Sequence, residues 1–345
     1  MTTNTSTLKA AVIGAGHLGT FHCRVLSELP GVELCYVVDT DLDRAQQATS
    51  RYGGTPLPTY TDILSDVDIV SVVTPTTAHH AVAVDFIEAG VNVLVEKPIT
   101  ATVDEADDLI ARAARNGVKL QVGHIERFNP AFRAIRDELR SPAFIECHRL
   151  SPYNFRSTDV SVVLDLMIHD LDLILDITGA PVESIEAAGT TILSNSTDIA
   201  NARLRFQSPD GEPGCVANVT ASRVSLTPMR RLRVFQADSY FSIDFLEKTV
   251  RVFRKKPDFD IAKTDPAQLA KIARLSGELA LGQLIDIQSL SVDQADALKD
   301  EVESFITAVR TDTPPVVTGE HGRRALALAA AIESDVRTFF DERSS

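Results

Sequence analysis

The sequence predicts an α/β protein in which a doubly wound parallel sheet is followed by an α+β domain whose sheet is built mainly of hairpins. From residue 8 to about 122, short apolar runs alternate with helix-length segments, as in parallel strands covered on both faces. A glycine-rich turn, GAGHLG, joins the first run to the first helix. After residue 139 short turns link the runs, which favours antiparallel pairing.

Apolar runs predict the strands of the first domain, and polar residues mark helix starts. The runs are LKAAVIG, VELCYVVD, and residues 68–73, 91–96 and 118–123. Thr102 with Glu105 three residues later fits a capping box. Asn129 followed by Pro130 fits an N-cap that opens a helix extending to Leu139.

In the second half, one strongly apolar helix at 162–179 precedes a series of strand-like runs. They span about 182–193, 199–207, 214–225, 230–237, 240–245 and 248–255. Residues 257–295 have a weaker pattern and are expected to form a variable loop with a helix, before helical segments at 294–310 and 320–340. We therefore expect two domains, residues 1–124 and 125–345.

Composition and charge restrict the function. The net charge of −14 over 345 residues argues against nucleic acid or an anionic membrane as the main partner. The N-terminal sequence lacks the features of a signal peptide, and no apolar run reaches the ~18 residues needed to span a bilayer. Four scattered cysteines contain no CxxC pair and suit a reducing compartment. We expect a cytoplasmic protein.

The GAGHLG turn has the features of a dinucleotide-binding loop. Gly14, Gly16 and Gly19 would allow a tight turn, backbone approach to a pyrophosphate and close helix–strand packing. Asp39 ends the second strand 20 residues after Gly19, where a carboxylate would accept hydrogen bonds from the adenosine ribose. The alternative is a glycine-rich turn that binds no nucleotide.

Asp39 also predicts which dinucleotide binds. Its carboxylate would repel the 2′-phosphate of NADP, and Asp41 and Asp43 add to that repulsion. Arg44 is the nearby cation that could offset it. We therefore expect NAD rather than NADP.

The stretch NVLVEKPIT combines an apolar strand with a charge pair. Glu96 and Lys97 follow the strand at its carboxyl end, where doubly wound sheets bind ligands. Beside a cationic nicotinamide and away from bulk water, Lys97 could take or return a proton at neutral pH. The alternative is a solvated ion pair that caps the strand.

A polar stripe crosses the apolar helix at 162–179. Its members recur at i, i+4, i+7 and i+11 and therefore share one helical face: Asp165, His169, Asp172 and Asp176. Buried carboxylates need a cause, which is either a satisfied structural network or a catalytic site. On the catalytic interpretation, Asp165 and His169 point into the substrate cleft, where His169 exchanges a proton with a hydroxyl.

Taken together, the motifs resemble those of the Gfo/Idh/MocA oxidoreductases. They are GAGHLG, TP…H (Thr74, Pro75, His79), EKP (residues 96–98), D-x-x-x-H-D (residues 165–170) and the late segment PPVVTGEHGRRALALAAAIESD. The resemblance covers essentially the whole chain. It implies an NAD-binding Rossmann domain over 1–124, then a substrate-binding and oligomerisation α+β domain over 125–345 with an open, mostly antiparallel sheet. It also implies a homodimer or homotetramer formed through that sheet.

The same resemblance implies roles for individual residues. Lys97, Asp165 and His169 would be catalytic, with a cis bond before Pro98 placing Lys97 under the nicotinamide. The implied cofactor contacts are Gly14, Gly16, His17, Leu18, Gly19, Asp39, Thr74, Pro75, His79, Glu96 and Lys97. Two positions depart from the family pattern: Thr76 stands where asparagine is frequent, and Ser161 where glycine is common.

Three segments, GHIERFNPAF, PYNFR and DLMIHDLD, resemble the nucleotide-sugar branch of the family, the UDP-N-acetylglucosamine 3-dehydrogenases. This implies oxidation of the C3 hydroxyl of a UDP-N-acetyl-hexosamine to a 3-oxo sugar, which a PLP aminotransferase then consumes. Arg127, Tyr153, Arg156 and His169 are the expected substrate residues. The arginines would bind the diphosphate, or else form surface salt bridges. The alternative functions are a dehydrogenase of a free polyol or monosaccharide, and a non-catalytic dinucleotide-binding sensor.

Two further features carry less information. The spacing of His79, His80 and His124 predicts no metal site. Residues 223–256 hold nine Lys and Arg against three Asp and Glu, which we interpret as a solvated or interfacial sheet face.

Overall fold

The computed structural model describes residues 7–344, except 155–159, 209–213, 257–262, 273, 276–281, 283 and 293. The chain divides into two compact units. The first comprises Met1–Phe128 and Ala295–Ala330, and the second comprises Asn129–Gln294 and Ala331–Ser345. The sequence-based division assigns all of 125–345 to the second domain, whereas the contacts place residues 295–330 with the first unit.

A parallel six-stranded sheet forms the centre of the first unit, in the order β3-β2-β1-β4-β5-β6. Its strands are β1 (Leu8–Ile13), β2 (Val32–Val38), β3 (Thr55–Leu57), β4 (Ile69–Val72), β5 (Asn92–Glu96) and β6 (Leu120–Gly123). The intervening helices are α1 (His17–Glu28), α2 (Leu42–Tyr52), α3 (Thr76–Glu88) and α4 (Val103–Asn116). This confirms the predicted doubly wound sheet. The short edge strand β3 was not predicted, because three residues that include a proline give no apolar run.

The predicted helix starts form as capping motifs. The Glu105 N–H donates to the Thr102 hydroxyl, and the Glu105 carboxylate accepts from the Thr102 N–H, which completes the capping box of α4. Asn129 caps α5 (Pro130–Arg133) as predicted. That helix is short, however, because the backbone leaves helical geometry at Ile135, and a 3₁₀ turn follows in place of a helix extending to Leu139.

The segment after residue 295 returns to the first unit. It contains α8 (Ala297–Thr311) and the beginning of α9 (Gly319–Ser344), after the shorter α7 (Pro266–Ile272) of the second unit. Asp296 caps α8 and binds Arg24 on α1 at 2.6 Å. Phe305 is buried in the core that covers β1 and β2. Val122 of β6 donates its N–H to the carbonyl of Val317.

The second unit contains an open eight-stranded sheet, in the order β14-β13-β12-β11-β7-β10-β9-β8. Its strands are β7 (Phe144–Leu150), β8 (Val182–Thr190), β9 (Ile199–Phe206), β10 (Val216–Ser222), β11 (Met229–Phe235), β12 (Ser239–Asp244), β13 (Thr249–Lys255) and β14 (Ile285–Leu290). Every pair is antiparallel except β7 with β10. The predicted open, mostly antiparallel sheet is confirmed. The sequence did not predict β7 or β14, because polar residues interrupt the apolar pattern of both.

One face of this sheet carries a row of apolar side chains. Residues directly opposite one another across five strands form this row, which we call the aromatic row: Phe144, Phe235, Tyr240, Phe253 and Ile287. The rings of Phe235 and Tyr240 stack at 4.5 Å, and those of Tyr240 and Phe253 at 4.8 Å. None of the five is fully buried within the chain. Such a row is stabilised by cross-strand packing and leaves apolar surface exposed.

The basic stretch at 223–256 includes side chains that pair with acidic neighbours. Arg231 binds Asp244 and Arg233 binds Glu146, each at 2.9 Å. These arginines are matched across strands by opposite charges, so they do not add to a single basic surface.

Candidate active site

A cavity of about 770 Å³ lies in the first unit, where the order of the strands reverses between β1 and β4. In doubly wound sheets this reversal opens a crevice at the carboxyl ends of the strands. All the predicted cofactor residues except Gly19 line the cavity: Gly14, Gly16, His17, Leu18, Asp39, Thr74, Pro75, His79, Glu96 and Lys97. Sequence motifs separated by more than 80 residues therefore meet at one site.

Each of the three glycines of the turn suits its position for a different steric reason. Gly14 has a φ of +99°, and a Cβ there would lie 2.5 Å from the carbonyl oxygen of Val73. A Cβ on Gly19 would lie 1.8 Å from the carbonyl oxygen of Gly14, so α1 could not pack against the turn. A Cβ on Gly16 would meet nothing within 4 Å. The open backbone at Gly16, beside the N-terminus of α1, fits the approach of a pyrophosphate.

Asp39 is held at the cavity by two backbone groups. Its Oδ2 accepts from the N–H of Ala15 at 2.8 Å, and its Oδ1 accepts from the N–H of Asp41 at 2.9 Å. Each carboxylate oxygen keeps a second lone pair that could accept from a ribose hydroxyl. Arg44 lines the same cavity and binds Asp41 at 3.2 Å.

The residues that follow β3 form part of the cavity wall that the sequence analysis missed. Pro58, Thr59 and Tyr60 all line the cavity. The Tyr60 hydroxyl donates to Asp85 at 2.9 Å, and burial together with this carboxylate raises the pKa of Tyr60 to about 12. The tyrosine is therefore a neutral hydrogen-bonding group at any physiological pH. In the sequence, the only sign of this part of the wall was the pair of glycines that precedes the three-residue strand β3.

Glu96 and Lys97 end β5 as a constrained pair rather than as a solvated cap. The Glu96 side chain is only 14% exposed, and its Oε1 lies 3.1 Å from Nε2 of the buried His22. Its Oε2 accepts from the N–H of Lys97 at 3.2 Å. Burial alone would raise the pKa of Glu96, but His22 and Lys97 outweigh it and hold that pKa below its usual value. The Lys97–Pro98 peptide bond is cis.

His79 joins the loops that follow β4 and β5. Its Nδ1 lies 2.8 Å from the carbonyl oxygen of Pro98, and its Nε2 lies 2.9 Å from that of Thr74. Burial lowers the pKa of His79, although both carbonyls oppose this, so the ring is neutral and donates from one nitrogen at a time. The Thr74 hydroxyl is buried with no hydrogen-bond partner among the residues that the structure describes. A polar group of a bound dinucleotide would satisfy it.

In the second unit, the helix at 162–179 contains two kinds of turn. A π-helical turn over Val163–Met167 leads directly into α6 (Ile168–Thr178), and such turns are frequent at functional sites. Asp165 and His169 lie on either side of this junction, and both are half-buried. The Ser161 hydroxyl accepts from the N–H of Val163, and its carbonyl accepts from the N–H of Asp165. The departure from the family pattern at Ser161 therefore supplies the N-terminal cap.

Asp176, the last member of the polar stripe, has a structural explanation. Asp176 forms a bidentate pair with Arg136, at 3.0 and 3.1 Å. A second bidentate pair, which the sequence analysis missed, joins Asp170 to Arg149 of β7 at 2.9 and 2.7 Å. Both of these side chains are at most 3% exposed. This buried pair binds the residue that follows His169 to the sheet.

The predicted substrate residues differ in their surroundings. Arg127 lies in the 3₁₀ turn Ile125–Phe128 and is 4% exposed, so the surface salt-bridge alternative fails for it. Tyr153 is half-buried in the segment after β7. Arg156 lies outside the described residues. The assignment of these residues to substrate stays a prediction.

The described residues include neither a cluster of metal-binding side chains nor a membrane-spanning helix. No group of three or more His, Cys, Asp or Glu side chains in the described ranges could hold a metal ion. Among the helices of those ranges, none has the length and apolar character needed to cross a membrane.

Comparison with known proteins identifies the family. The family model described as "Oxidoreductase family, NAD-binding Rossmann fold" matches residues 8–124, and the GFO/IDH/MocA C-terminal domain matches residues 133–239. The UDP-N-acetylglucosamine 3-dehydrogenase of Acidithiobacillus ferrooxidans is 36% identical over 335 residues, which cover 96% of this chain and 98% of that protein. The chain belongs to the Gfo/Idh/MocA family. It is therefore an oxidoreductase with an NAD-binding first domain, as predicted.

Solved structures and a second relative agree with this Gfo/Idh/MocA assignment. A structure of the A. ferrooxidans enzyme, GnnA, superimposes with a TM-score of 0.85 and 34% identity, covering 96% of this chain and 98% of that one. The myo-inositol 2-dehydrogenase of Thermotoga maritima is 24% identical, covering 95% of this chain and 96% of the relative. The roles of individual residues stay predictions.

The position of Asp39 predicts that NAD binds more tightly than NADP. Calorimetric titration of the cofactor-free protein with each dinucleotide tests this. Asp39→Ser should weaken NAD binding roughly 10- to 100-fold, because it removes a hydrogen bond to a charged group. It should also reduce the difference between the affinities for NAD and NADP. Asp43→Asn, which does not alter the cavity lining, should change the affinity for NAD by no more than about twofold. Equal affinities in the unmodified protein would mean that Arg44 outweighs the carboxylate.

The Arg149–Asp170 pair predicts a strongly non-additive double-mutant cycle. Arg149→Met or Asp170→Leu alone should lower the free energy of unfolding by about 3–5 kcal/mol, because each removes the bidentate partner of a buried charge. The double variant should lose clearly less free energy of unfolding than the two single variants lose in total. The Arg136–Asp176 pair, whose aspartate lies on the same helix as Asp170, is a matched control. Arg136 is 45% exposed, so its cycle should give a coupling of about 1 kcal/mol or less. Urea unfolding measures both cycles, and equal couplings would contradict the argument from burial.

Proposed function

We propose that this protein is an NAD-dependent dehydrogenase that oxidises the C3 hydroxyl of a UDP-N-acetyl-hexosamine to a 3-oxo sugar. The observation that carries the proposal is the 36% identity to a UDP-N-acetylglucosamine 3-dehydrogenase, which extends over 96% of the chain. Similarity along nearly the whole length includes the substrate-binding region as well as the cofactor domain. The motifs that resemble the nucleotide-sugar branch point to the same substrate class.

In the proposed reaction, the hydroxyl proton moves to His169 while the C3–H bond breaks with its electron pair. NAD bound by the residues that line the cavity would supply the acceptor for that hydride. The electrons of the O–H bond form the second carbon–oxygen bond, so a carbonyl replaces the alcohol. Asp165, four residues before His169, would orient the imidazole and stabilise its protonated form. Lys97 would stabilise the negative charge that develops on the oxygen.

The diphosphate is the part of the substrate that a free sugar lacks. Arg127 and Arg156 are the proposed diphosphate ligands, because a guanidinium can donate two parallel hydrogen bonds to phosphate oxygens. Tyr153, three residues before Arg156, would contact the same substrate. A polyol or monosaccharide dehydrogenase is the second candidate, and the T. maritima relative named as a myo-inositol 2-dehydrogenase favours it. A sensor without turnover would have no need for Lys97, Asp165 and His169 together.

A substrate comparison tests the proposal. The protein is incubated with NAD and UDP-N-acetylglucosamine, or with myo-inositol or free N-acetylglucosamine, and the absorbance of reduced cofactor is followed. A hydroxylamine trap, or a PLP aminotransferase as the expected consumer of the product, removes the unfavourable 3-oxo sugar. We expect turnover with the UDP-sugar alone. Turnover of the free compounds with the UDP-sugar inert would overturn the substrate assignment, and no turnover with any of them would favour the sensor.

Two lysine substitutions serve as a matched pair in this assay. Lys97→Ala should lower turnover by at least about 10²-fold, as expected when a catalytic group is removed. Lys119→Ala removes a lysine of the same unit that pairs with the exposed Asp312, and should leave turnover unchanged. If Lys97→Ala retains turnover within about threefold of the unmodified protein, its catalytic role is wrong.

We also propose that the aromatic row forms the centre of a homodimer or homotetramer interface. A contiguous row of partly exposed aromatic side chains is typical of protein–protein contacts. Light scattering at micromolar concentration should give a multiple of the 37.5 kDa chain mass. Phe253→Asp should shift that mass towards the monomer, whereas Leu226→Asp should not, since Leu226 is fully exposed outside the row. A monomer mass for the unmodified protein would remove the proposal.

A further inference from the structure

Helix α1 carries a buried histidine that no proposed step uses. His22 follows Gly19 by three residues and is 1% exposed. Its Nε2 lies 3.1 Å from Oε1 of Glu96. Its Nδ1 is buried with no hydrogen-bond partner in the part of the chain that the structure describes. A buried imidazole with one ring nitrogen unsatisfied is costly, so its contact with Glu96 calls for an explanation.

Glu96 is enclosed on several sides. One carboxylate oxygen contacts His22, and the other accepts from the main-chain N–H of Lys97. A Cβ on Gly123 of β6 would lie 2.9 Å from the Glu96 carboxyl carbon, so only glycine leaves room for the carboxylate there. Glu96 and Lys97 both line the cofactor cavity. Rotation of the carboxylate would therefore change the cavity wall and release the backbone of Lys97.

We propose that His22 is a positioning residue for Lys97: it fixes the Glu96 carboxylate that holds the main-chain N–H of Lys97 at the cavity wall. His22 touches neither the cofactor cavity nor, on this proposal, the substrate, and it acts only through Glu96. The inference concerns the cofactor-binding unit and does not depend on which sugar is oxidised. Its effect on turnover rests on the proposed dehydrogenase function, whereas its effect on the Glu96 carboxylate does not.

The charges around Glu96 predict the direction in which its pKa should change when His22 is replaced. The groups that act on this carboxylate are His22 from α1, Lys97 at the end of β5 and His79 from α3. Burial alone raises the pKa of Glu96, and the contacts of His22 and Lys97 lower it. Removing the His22 contact must therefore raise that pKa. Glu96 would then take up a proton at a higher pH than it does in the unmodified protein.

The first experiment measures the carboxylate in the cofactor-free protein. Glutamate labelled with ¹³C at the side-chain carboxyl is titrated by NMR, and the signal of Glu96 is assigned by its loss in Glu96→Gln. His22→Leu should raise the Glu96 midpoint by roughly 1–2 pH units, the equivalent of one hydrogen bond to a charged group. His22→Gln keeps an amide donor and should stay closer to the unmodified midpoint.

A second variant guards against loss of folding. If His22→Leu does not fold, Gly123→Ala places a methyl group against the same carboxylate and should displace it, raising the midpoint without touching His22. Cys23→Ala is the control for packing, because Cys23 is a buried neighbour on α1. It should lower thermal stability and leave the Glu96 midpoint unchanged. An unchanged midpoint in His22→Leu, or an equal rise in Cys23→Ala, would overturn the proposal.

The second experiment measures turnover against pH with NAD and the sugar substrate. His22→Leu should lower kcat about tenfold at neutral pH and move the acid limb of the profile to higher pH. His22→Gln should keep most of the kcat and of the pH profile of the unmodified protein. Cys23→Ala should change neither the kcat nor the profile. A purely structural role would instead lower the amount of folded enzyme and leave the profile in place. A raised Glu96 midpoint without turnover of any sugar would support the role of His22 and count against the proposed function.

Discussion

Both units depend on a buried carboxylate next in sequence to a candidate catalytic side chain, Lys97 in the first unit and His169 in the second. In the first unit Glu96 precedes the candidate lysine and pairs with His22. In the second, Asp170 follows His169 and pairs with Arg149. A buried charge without a partner costs several kcal/mol, so each pair fixes an element, α1 in one unit and β7 in the other. The adjacent functional residue gains a defined backbone position without being part of the pair.

The cofactor cavity combines three kinds of polar group that suit the parts of a dinucleotide. The open backbone at Gly16 and the N-terminus of α1 favour negative charge. Asp39 offers acceptors to hydroxyl groups, and its negative charge disfavours a further phosphate. Glu96 and Lys97 supply a matched pair of opposite charges. Because the strand order reverses at this point, the carboxyl ends of strands distant in sequence supply all three.

The sequence was sufficient for the doubly wound sheet, the hairpin sheet and about half of the residues that line the cavity, because glycine spacing and apolar periodicity are local signals. The sequence did not predict features that depend on contacts between residues far apart in the chain. Strand β7 was missed because Arg149, which faces the core, looks polar until its partner Asp170 is known. The wall at Tyr60 follows a three-residue strand that exists only by pairing with β2. The separate role of Asp170 was likewise hidden, since helical spacing cannot show which carboxylate meets a buried arginine.

The return of residues 295–330 to the first unit has a consequence for how the protein is made. The six strands of that unit leave the ribosome early, but α8, which buries Phe305 against them, follows some 170 residues later. At about 5–20 residues per second, this delay is roughly 10–30 s. During that interval the apolar surface beneath α8 is uncovered while residues 129–294 of the second unit are being synthesised. The first unit therefore cannot complete its core until most of the second unit has been made.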